Sequence, residues 1–279
     1  MKIIKIKNKK GKTLARVYVY LKSFKNKNRK EIVEDILGDF KNNYAGYKKR
    51  EHLSKFLNWS CFGWEKKESF NFEVDRKKEE KLAEVCEETI KLCKEFIKKP
   101  INIFVFPSLD SWTMKNMGGC GGFCTAPRTL VVDINFVQGW EHALKATIGH
   151  ELAHAISPYY KGGDYALGEG FILDGIAEHF RESIVGGDKS KWSNAITRNE
   201  AVKLLKELKA KFGIKDQNLW QEVFFGGGTY PHWAGYSTGY YLVEDYLKKQ
   251  KQINWEKIIA TPAKEIFEEM LKEGYWEVK

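Results

Sequence analysis

The sequence has no long apolar run. Its 279 residues contain no stretch of about 20 apolar side chains, the length that a helix needs to cross a bilayer. Residues 1–7 alternate between charged and apolar side chains and lack the apolar core of a signal peptide. We therefore expect a cytoplasmic protein without a membrane partner.

Cysteine is scarce as well. The chain has five cysteines, an odd number without the spacing of a disulfide framework, and this predicts reduced thiols in a cytoplasm. They are Cys61, Cys86, Cys93, Cys120 and Cys124.

Acidic residues are fewer than basic ones. The chain has 37 Asp and Glu against 47 Lys and Arg, which gives a net charge of +10. The lysines are scattered, whereas nucleic-acid-binding proteins concentrate their charge, and no recognition motif of that class occurs. We expect a solvated lysine-rich surface and no nucleic-acid partner, although a basic nucleic-acid-binding module stays the alternative that salt-dependent retention on DNA would reveal.

One short motif carries recognisable chemistry, the His-Glu-Leu-Ala-His run at residues 150–154. Apolar residues on most of the circumference predict a buried helix over residues 140–156, which Pro158 ends. His150 and His154 are four residues apart and share one helix face, so their imidazoles can converge on a zinc ion. Glu151 follows the first histidine and is placed to accept a proton from water. The alternative is a buried helix with two hydrogen-bonded histidines.

A catalytic zinc site needs a third protein ligand. The next predicted helix, residues 170–185, carries Asp174 and Glu178 four residues apart and therefore on one face. An acidic helix face turned to water is the alternative for both residues.

The chain here resembles the gluzincin metallopeptidases, the thermolysin-like and aminopeptidase-like clan, whose second helix supplies a glutamate ligand. Residues 173–180 are especially similar to a run in a bacterial family of predicted zinc-dependent proteases of unknown function. Asp174 stands where that family usually has glutamate; aspartate ligates zinc in the related aspzincins but is one methylene shorter. The resemblance implies that Asp174 is the third ligand and that Glu178 orients a ligand histidine. Glu178 as the ligand is the second choice, followed by His179 and Glu169.

Zinc peptidases also need a donor for the oxyanion that forms during the reaction. Tyr236, three residues before Gly239, resembles the Tyr-x-x-Gly pattern of the aminopeptidase-like gluzincins. His232 is the second candidate donor and Tyr240 the third. Tyr236 as a half-buried packing aromatic is the alternative.

A glycine-rich stretch, residues 117–125, precedes the motif helix. Glycine lets another backbone approach closely, and gluzincins carry an edge strand near this place that pairs with an extended peptide. We predict an edge strand or loop here, with a flexible connector as the alternative. Cys120 and Cys124 could instead bind metal or respond to redox, although no second pair follows.

The resemblance implies an α+β fold of the zincin-like metallopeptidase kind: a small mixed sheet with an edge strand over an active-site helix, then a mainly helical C-terminal lobe. We predict an N-terminal hairpin and helical appendage over residues 1–75, with hairpin strands at 2–7 and 13–21. The N-terminal peptidase lobe would cover residues 76–157 and the C-terminal lobe residues 158–279.

The function that these residues predict is zinc-dependent hydrolysis of peptide bonds in a peptide or protein substrate. Glu151 would be the general base. The alternative is a non-catalytic protein, a pseudo-enzyme or regulatory protein, that retains a zinc site.

Overall fold

Strands and helices alternate in the first part of the chain. The computed structural model describes residues 1–39, 50–162 and 164–272, and the chain divides into two compact units, Met1–Ala155 and Ile156–Lys279. The predicted division into three segments stays a prediction. The strands of the first unit are β1 (Lys2–Lys7), β2 (Thr13–Val19), β3 (Phe24–Asn28), β4 (Ser69–Phe72), β5 (Ile101–Pro107), β6 (Cys120–Ala126) and β7 (Thr129–Ile134). Its helices are α1 (Arg29–Asp39), α2 (Arg50–Phe62), α3 (Arg76–Leu92), α4 (Ser111–Asn116) and α5 (Trp140–Ile156).

The main sheet has five strands in the order β1-β2-β5-β7-β6. Strands β2, β5 and β7 run parallel to one another, while β1 and β6 pair antiparallel with their neighbours. All six residues of β7 are buried, as expected of a strand covered on both faces. The sheet is therefore mixed and the fold is α+β, as the sequence predicts. Strand β6 lies at the end of the sheet, which confirms the predicted edge position of the glycine-rich stretch.

The predicted N-terminal hairpin forms, and it is part of the main sheet. Strand β2 pairs in parallel with β5, from Ala15 opposite Ile101 to Val19 opposite Val105. Ala15 and Val17 are fully buried. A two-stranded hairpin alone cannot cover such residues and is marginally stable in water, so the hairpin completes the main sheet.

Between the hairpin and β5, the helices of the structure differ in their bounds from those that the sequence pattern predicts. From residue 30 to about residue 56 the sequence pattern is mostly helical, and the structure has α1 and α2 in this region. The interruption that the pattern predicts at residues 42–46 lies outside the described residues. The aromatic stretch 59–72, which has no clear period, forms the end of α2 and then β4, which pairs with β3. Apolar residues at helical spacing predict a helix over residues 76–98, whereas α3 ends at Leu92, where the chain turns toward β5.

The motif helix agrees with the sequence prediction at both ends. Helix α5 spans Trp140–Ile156. Leu144, Ile148 and Leu152 are fully buried, which places this helix in the core of its unit.

The described part of the second unit is helical. Its helices are α6 (Leu167–Phe180), α7 (Arg198–Leu208), α8 (Gln217–Phe225), α9 (Ala234–Lys248), α10 (Trp255–Ile259) and α11 (Ala263–Lys272). Helix α6 begins three residues before the predicted start because Glu169 accepts a hydrogen bond from the backbone nitrogen of Ala166 at 2.8 Å and caps the first turn. It continues into a π-helical turn, Arg181–Val185. Helix α8 was not predicted, although Asp216 is an N-cap signal for it.

Helices α6 and α9 pack backbone against backbone. A Cβ atom on Gly175 would lie 2.3 Å from the carbonyl oxygen of Gly239, and one on Gly239 would lie 2.1 Å from that of Phe171. No side chain fits at such separations, so glycine is required at both positions. This contact sets the distance between the helix that carries Asp174 and the helix that carries Tyr236.

Replacing Gly239 should therefore destabilise the second unit. We expect Gly239→Ala to lower the free energy of unfolding by about 3 kcal/mol or more, because the clash is with backbone that cannot move aside. Gly213→Ala is the matched control, since no atom lies within 4 Å of a Cβ there. Urea denaturation of both variants tests this, and equal stability of the two would contradict the close helix packing.

No helix within residues 1–39, 50–162 and 164–272 is long and apolar enough to cross a membrane. The five cysteines are buried free thiols, as their spacing predicts.

Candidate metal centre

Helix α5 presents two imidazoles on one face. The ring centroids of His150 and His154 are 5.1 Å apart. His154 and Glu151 are buried, with 5% and 9% of their surfaces exposed, and His150 is half-buried. The four-residue spacing thus produces the neighbouring pair that helix geometry requires.

Asp174 of α6 joins this pair. One ligand atom from each of His150, His154 and Asp174 can be chosen so that all three lie within 4.8 Å of one another. The described residues therefore contain a largely buried His-His-Asp group that could hold a metal ion.

The donor set fits zinc. Zinc takes imidazole nitrogen at about 2.0–2.1 Å and carboxylate oxygen at about 2.0–2.2 Å, so two ligands of one ion lie about 3–4 Å apart. The upper limit of 4.8 Å between the donor atoms is close to that range. Two imidazoles and one carboxylate also match the ligand number of catalytic zinc sites, which leave one position open.

The side chain of Glu151, a residue of α5, lies against the edge strand β6. A Cβ atom on Gly122 would lie 3.0 Å from Cγ of Glu151 and 2.4 Å from Cγ2 of Thr147. Only glycine lets the strand approach the helix this closely. The glycine-rich stretch is therefore a packed strand beside the acidic residue of the motif, not a flexible connector.

Comparison with protein families agrees with this geometry. Residues 82–268, about two thirds of the chain, match the family described as Predicted Zn-dependent protease (DUF2268). The chain belongs to this family. The matched region contains α5 and α6 and therefore all three residues of the His-His-Asp group. Comparison with the curated proteins finds no match, and comparison with the solved structures finds none either.

In this member of the family, Glu178 contacts a buried cation. Its Oε1 accepts hydrogen bonds from Nη2 of Arg181 and, at 3.1 Å, from Oγ of Ser193. Arg181 is only 1% exposed and also donates to the carbonyl oxygens of Gly186 and Asp188. These bonds stabilise a negative charge on Glu178 and hold the segment after α6 against that helix. Glu178 is not part of the His-His-Asp group.

The other two acid or histidine candidates on α6 have different partners. Nε2 of His179 donates to the carbonyl oxygen of Tyr240 at 3.0 Å, and its ring stacks on the Tyr240 ring. Burial lowers the pKa of His179, which favours the neutral ring. Glu169 caps the start of the helix. Neither residue belongs to the His-His-Asp group.

The three candidate oxyanion donors lie in different surroundings. Tyr236, in the first turn of α9, is half-buried and packs edge-on against Phe224, with ring centroids 4.9 Å apart. His232 is exposed, and its Nδ1 donates to the carbonyl oxygen of Phe225. The Tyr240 hydroxyl donates to Oε2 of Glu182 at 2.9 Å, and burial raises its pKa. The hydroxyl proton of Tyr240 is therefore already used in the hydrogen bond to Glu182.

The cysteines of β6, Cys120 and Cys124, are buried free thiols. Burial raises the pKa of Cys120, and burial together with the Glu151 carboxylate raises the pKa of Cys124. The raised pKa values favour the neutral thiol at both positions.

Asp133 of β7 is a buried acid beside the edge strand, and it belongs to none of the motifs in the sequence. A Cβ atom on its partner Gly121 would lie 2.9 Å from either carboxylate oxygen of Asp133. Burial raises the pKa of Asp133 from 3.8 to about 7, and the nearby Asp110 adds to the shift. The only signal in the sequence is one acidic residue inside an otherwise apolar strand.

Asp133 should make the stability of the protein depend on pH. Native Asp133 keeps its proton up to about pH 7 while the unfolded chain loses it near pH 3.8, so the free energy of unfolding should fall as pH rises between these values. We expect Asp133→Asn to remove up to about 4 kcal/mol of this fall. Melting temperatures at pH 5 and pH 8 measure this loss of stability. Asp35→Asn is the control, because Asp35 is exposed. If the melting temperatures at pH 5 and pH 8 differ as much in Asp133→Asn as in the wild type, the raised pKa of Asp133 is contradicted.

Proposed function

We propose that this protein is a zinc-dependent metallopeptidase with a zincin-like fold. The observation that carries the proposal is the His-His-Asp group, in which His150 and His154 of the motif helix meet Asp174 of α6. The description of the family, Predicted Zn-dependent protease, supports the same proposed function.

The proposed ligands are His150, His154 and Asp174. The zinc ion would act as a Lewis acid that polarises the scissile carbonyl group and acidifies a water molecule. Glu151 would accept a proton from water at its carboxylate and would donate it to the nitrogen of the leaving amine. Its position supports this role, because it directly follows His150 on the motif helix and is buried.

Asp174 is preferred over Glu178 as the third ligand. The carboxylate of Glu178 is bonded to Arg181 and Ser193, and a ligand role would compete with these bonds. We propose that Glu178 supports the site through the segment that it holds, and that Asp174 reaches the ion in spite of its shorter side chain.

Tyr236 is the proposed donor to the oxyanion. Its ring is held by Phe224 and Phe225 of α8, and the close contact at Gly239 holds the helix that carries it. A donor fixed in this way loses little entropy when the charge forms. His232 remains the second candidate.

The substrate is proposed to be a peptide or protein that binds in an extended conformation. Strand β6 is the last strand of the sheet, and an edge strand can pair with an extended chain through backbone hydrogen bonds. We also propose a cytoplasmic location, which the five free thiols support.

Removal and return of the metal test this function. Purified protein should contain about one equivalent of zinc and should cleave members of a random peptide library. Dialysis against a chelator should abolish cleavage, since the proposed reaction depends on the ion, and zinc should restore it. Mass spectrometry of the digest and elemental analysis of the protein are the measurements. Protein that holds zinc but cleaves no peptide would favour the non-catalytic alternative.

A further inference from the structure

The edge strand β6 has two different faces. Gly122 faces α5, because a Cβ atom there would meet Thr147 and Glu151. Gly121, one residue earlier, faces Asp133. Side chains alternate between the faces of a strand, so Phe123 lies on the face that Gly121 shares, opposite the motif helix.

Phe123 contacts an exposed tryptophan on that face. Its ring centroid lies 4.5 Å from that of Trp59 of α2, with 49° between the ring planes. Trp59 is 45% exposed and Phe123 is half-buried. A single exposed apolar residue is common on protein surfaces, but here two aromatic rings pack together on the last strand of the sheet, one residue from the glycine that contacts Glu151.

A chain that pairs with β6 would contact this surface with alternate residues. Side chains of directly paired residues lie on the same face of a sheet. The substrate residue opposite Gly122 would therefore point toward α5, and its neighbour opposite Phe123 would point toward Trp59. The described residues place no strand on the outer side of β6.

We propose that Trp59 and Phe123 form a specificity surface that selects peptides with an aromatic or large aliphatic side chain. This inference rests on the proposed function, because it takes the occupant of the β6 edge to be the substrate. Aromatic rings gain from packing on one another beyond the area that they bury. The preferred residue would lie opposite Phe123, next to the substrate residue that points toward Glu151.

A binding experiment tests the surface without requiring turnover. The probes are fluorescein-labelled, capped nonapeptides of Ala, Ser and Gly residues whose central residue is Phe, Leu, Ala or Arg. Fluorescence polarisation measures their affinity for the Glu151→Gln protein, which is not expected to cleave them. We expect the Phe peptide to bind about tenfold more tightly than the Ala peptide.

In the Glu151→Gln background, Trp59→Ala should reduce the preference for the Phe peptide over the Ala peptide to about twofold or less. Phe123→Ala removes the other ring of the surface and should have the same effect. Trp64→Ala is the matched control, because Trp64 is 54% exposed and packs on Trp112 of α4; it should keep the tenfold preference. Equal binding of the Phe and Ala peptides to the Glu151→Gln protein, tighter binding of the Arg peptide, or an unchanged preference in Trp59→Ala would overturn the inference.

Cleavage by the zinc-loaded wild-type protein separates this inference from the function on which it rests. A library digest should show an enrichment of aromatic and large aliphatic residues at one position, and Trp59→Ala should lose it. If the binding preference is found but no peptide is cleaved, the proposed peptidase function fails while the peptide-binding surface stands.

Discussion

Glu151→Gln should lower kcat/KM for peptide hydrolysis by about 100- to 10,000-fold while zinc content stays near one equivalent. The amide cannot accept the proton from water, and general base catalysis accounts for an effect of this size. The substitution keeps the shape of the side chain, so the contact with Gly122 should persist and the melting temperature should change little. Steady-state kinetics and elemental analysis of the same preparation measure both quantities.

Glu141→Gln is the control for this change, because it makes the same substitution in the first turn of the same helix. It should leave activity and zinc content as they are in the wild type. Full activity in Glu151→Gln would show that the base is another residue. Loss of zinc from Glu151→Gln would show that Glu151 acts as a ligand.

Replacing a proposed ligand should remove the metal itself. We expect His150→Ala, His154→Ala and Asp174→Ala each to lose most of their zinc on dialysis and to lose peptidase activity, because each change removes one of three ligands. His142→Ala is the control, since His142 is an exposed residue of the same helix. Wild-type zinc content in both histidine variants would contradict the metal centre.

Glu178→Gln decides between the two acids of α6. Glutamine retains an oxygen that can accept from Arg181 and Ser193, whereas alanine would leave the buried Arg181 without this partner at a cost of about 3–5 kcal/mol. With Asp174 as the ligand, Glu178→Gln should keep its zinc and lose at most about 10- to 100-fold in affinity or activity. Zinc loss in Glu178→Gln together with zinc retention in Asp174→Ala would reverse the assignment.

The motif helix and the edge strand could be predicted from the sequence because their signals are local. Apolar residues around most of the circumference predicted α5, and Pro158 marked its end. The glycines of residues 117–125 predicted a close approach of backbone, and Gly122 makes one with Thr147 and Glu151. Such signals lie within a few residues of one another.

Other features depend on partners that are distant in the chain. The hairpin strands alternate in the sequence, but nothing in that pattern indicates that β2 pairs with β5, about 85 residues later. Trp59 and Phe123 are separated by β4, α3, β5 and α4, so neither residue indicates the other. Asp133 carries no local signal of its raised pKa, because burial by the surrounding elements causes the shift.

The amino-acid sequence is sufficient to predict the family, the two histidines on one face of a helix and the acidic residue beside them. Spacing along a single helix determines those positions, since the rise and turn per residue are constant. Only the tertiary structure shows the surroundings of the two acids of α6: Asp174 belongs to the His-His-Asp group, whereas Glu178 is bonded to Arg181. Packing at Gly175 and Gly239, which brings distant backbone into contact, decided where α6 and α9 lie relative to each other.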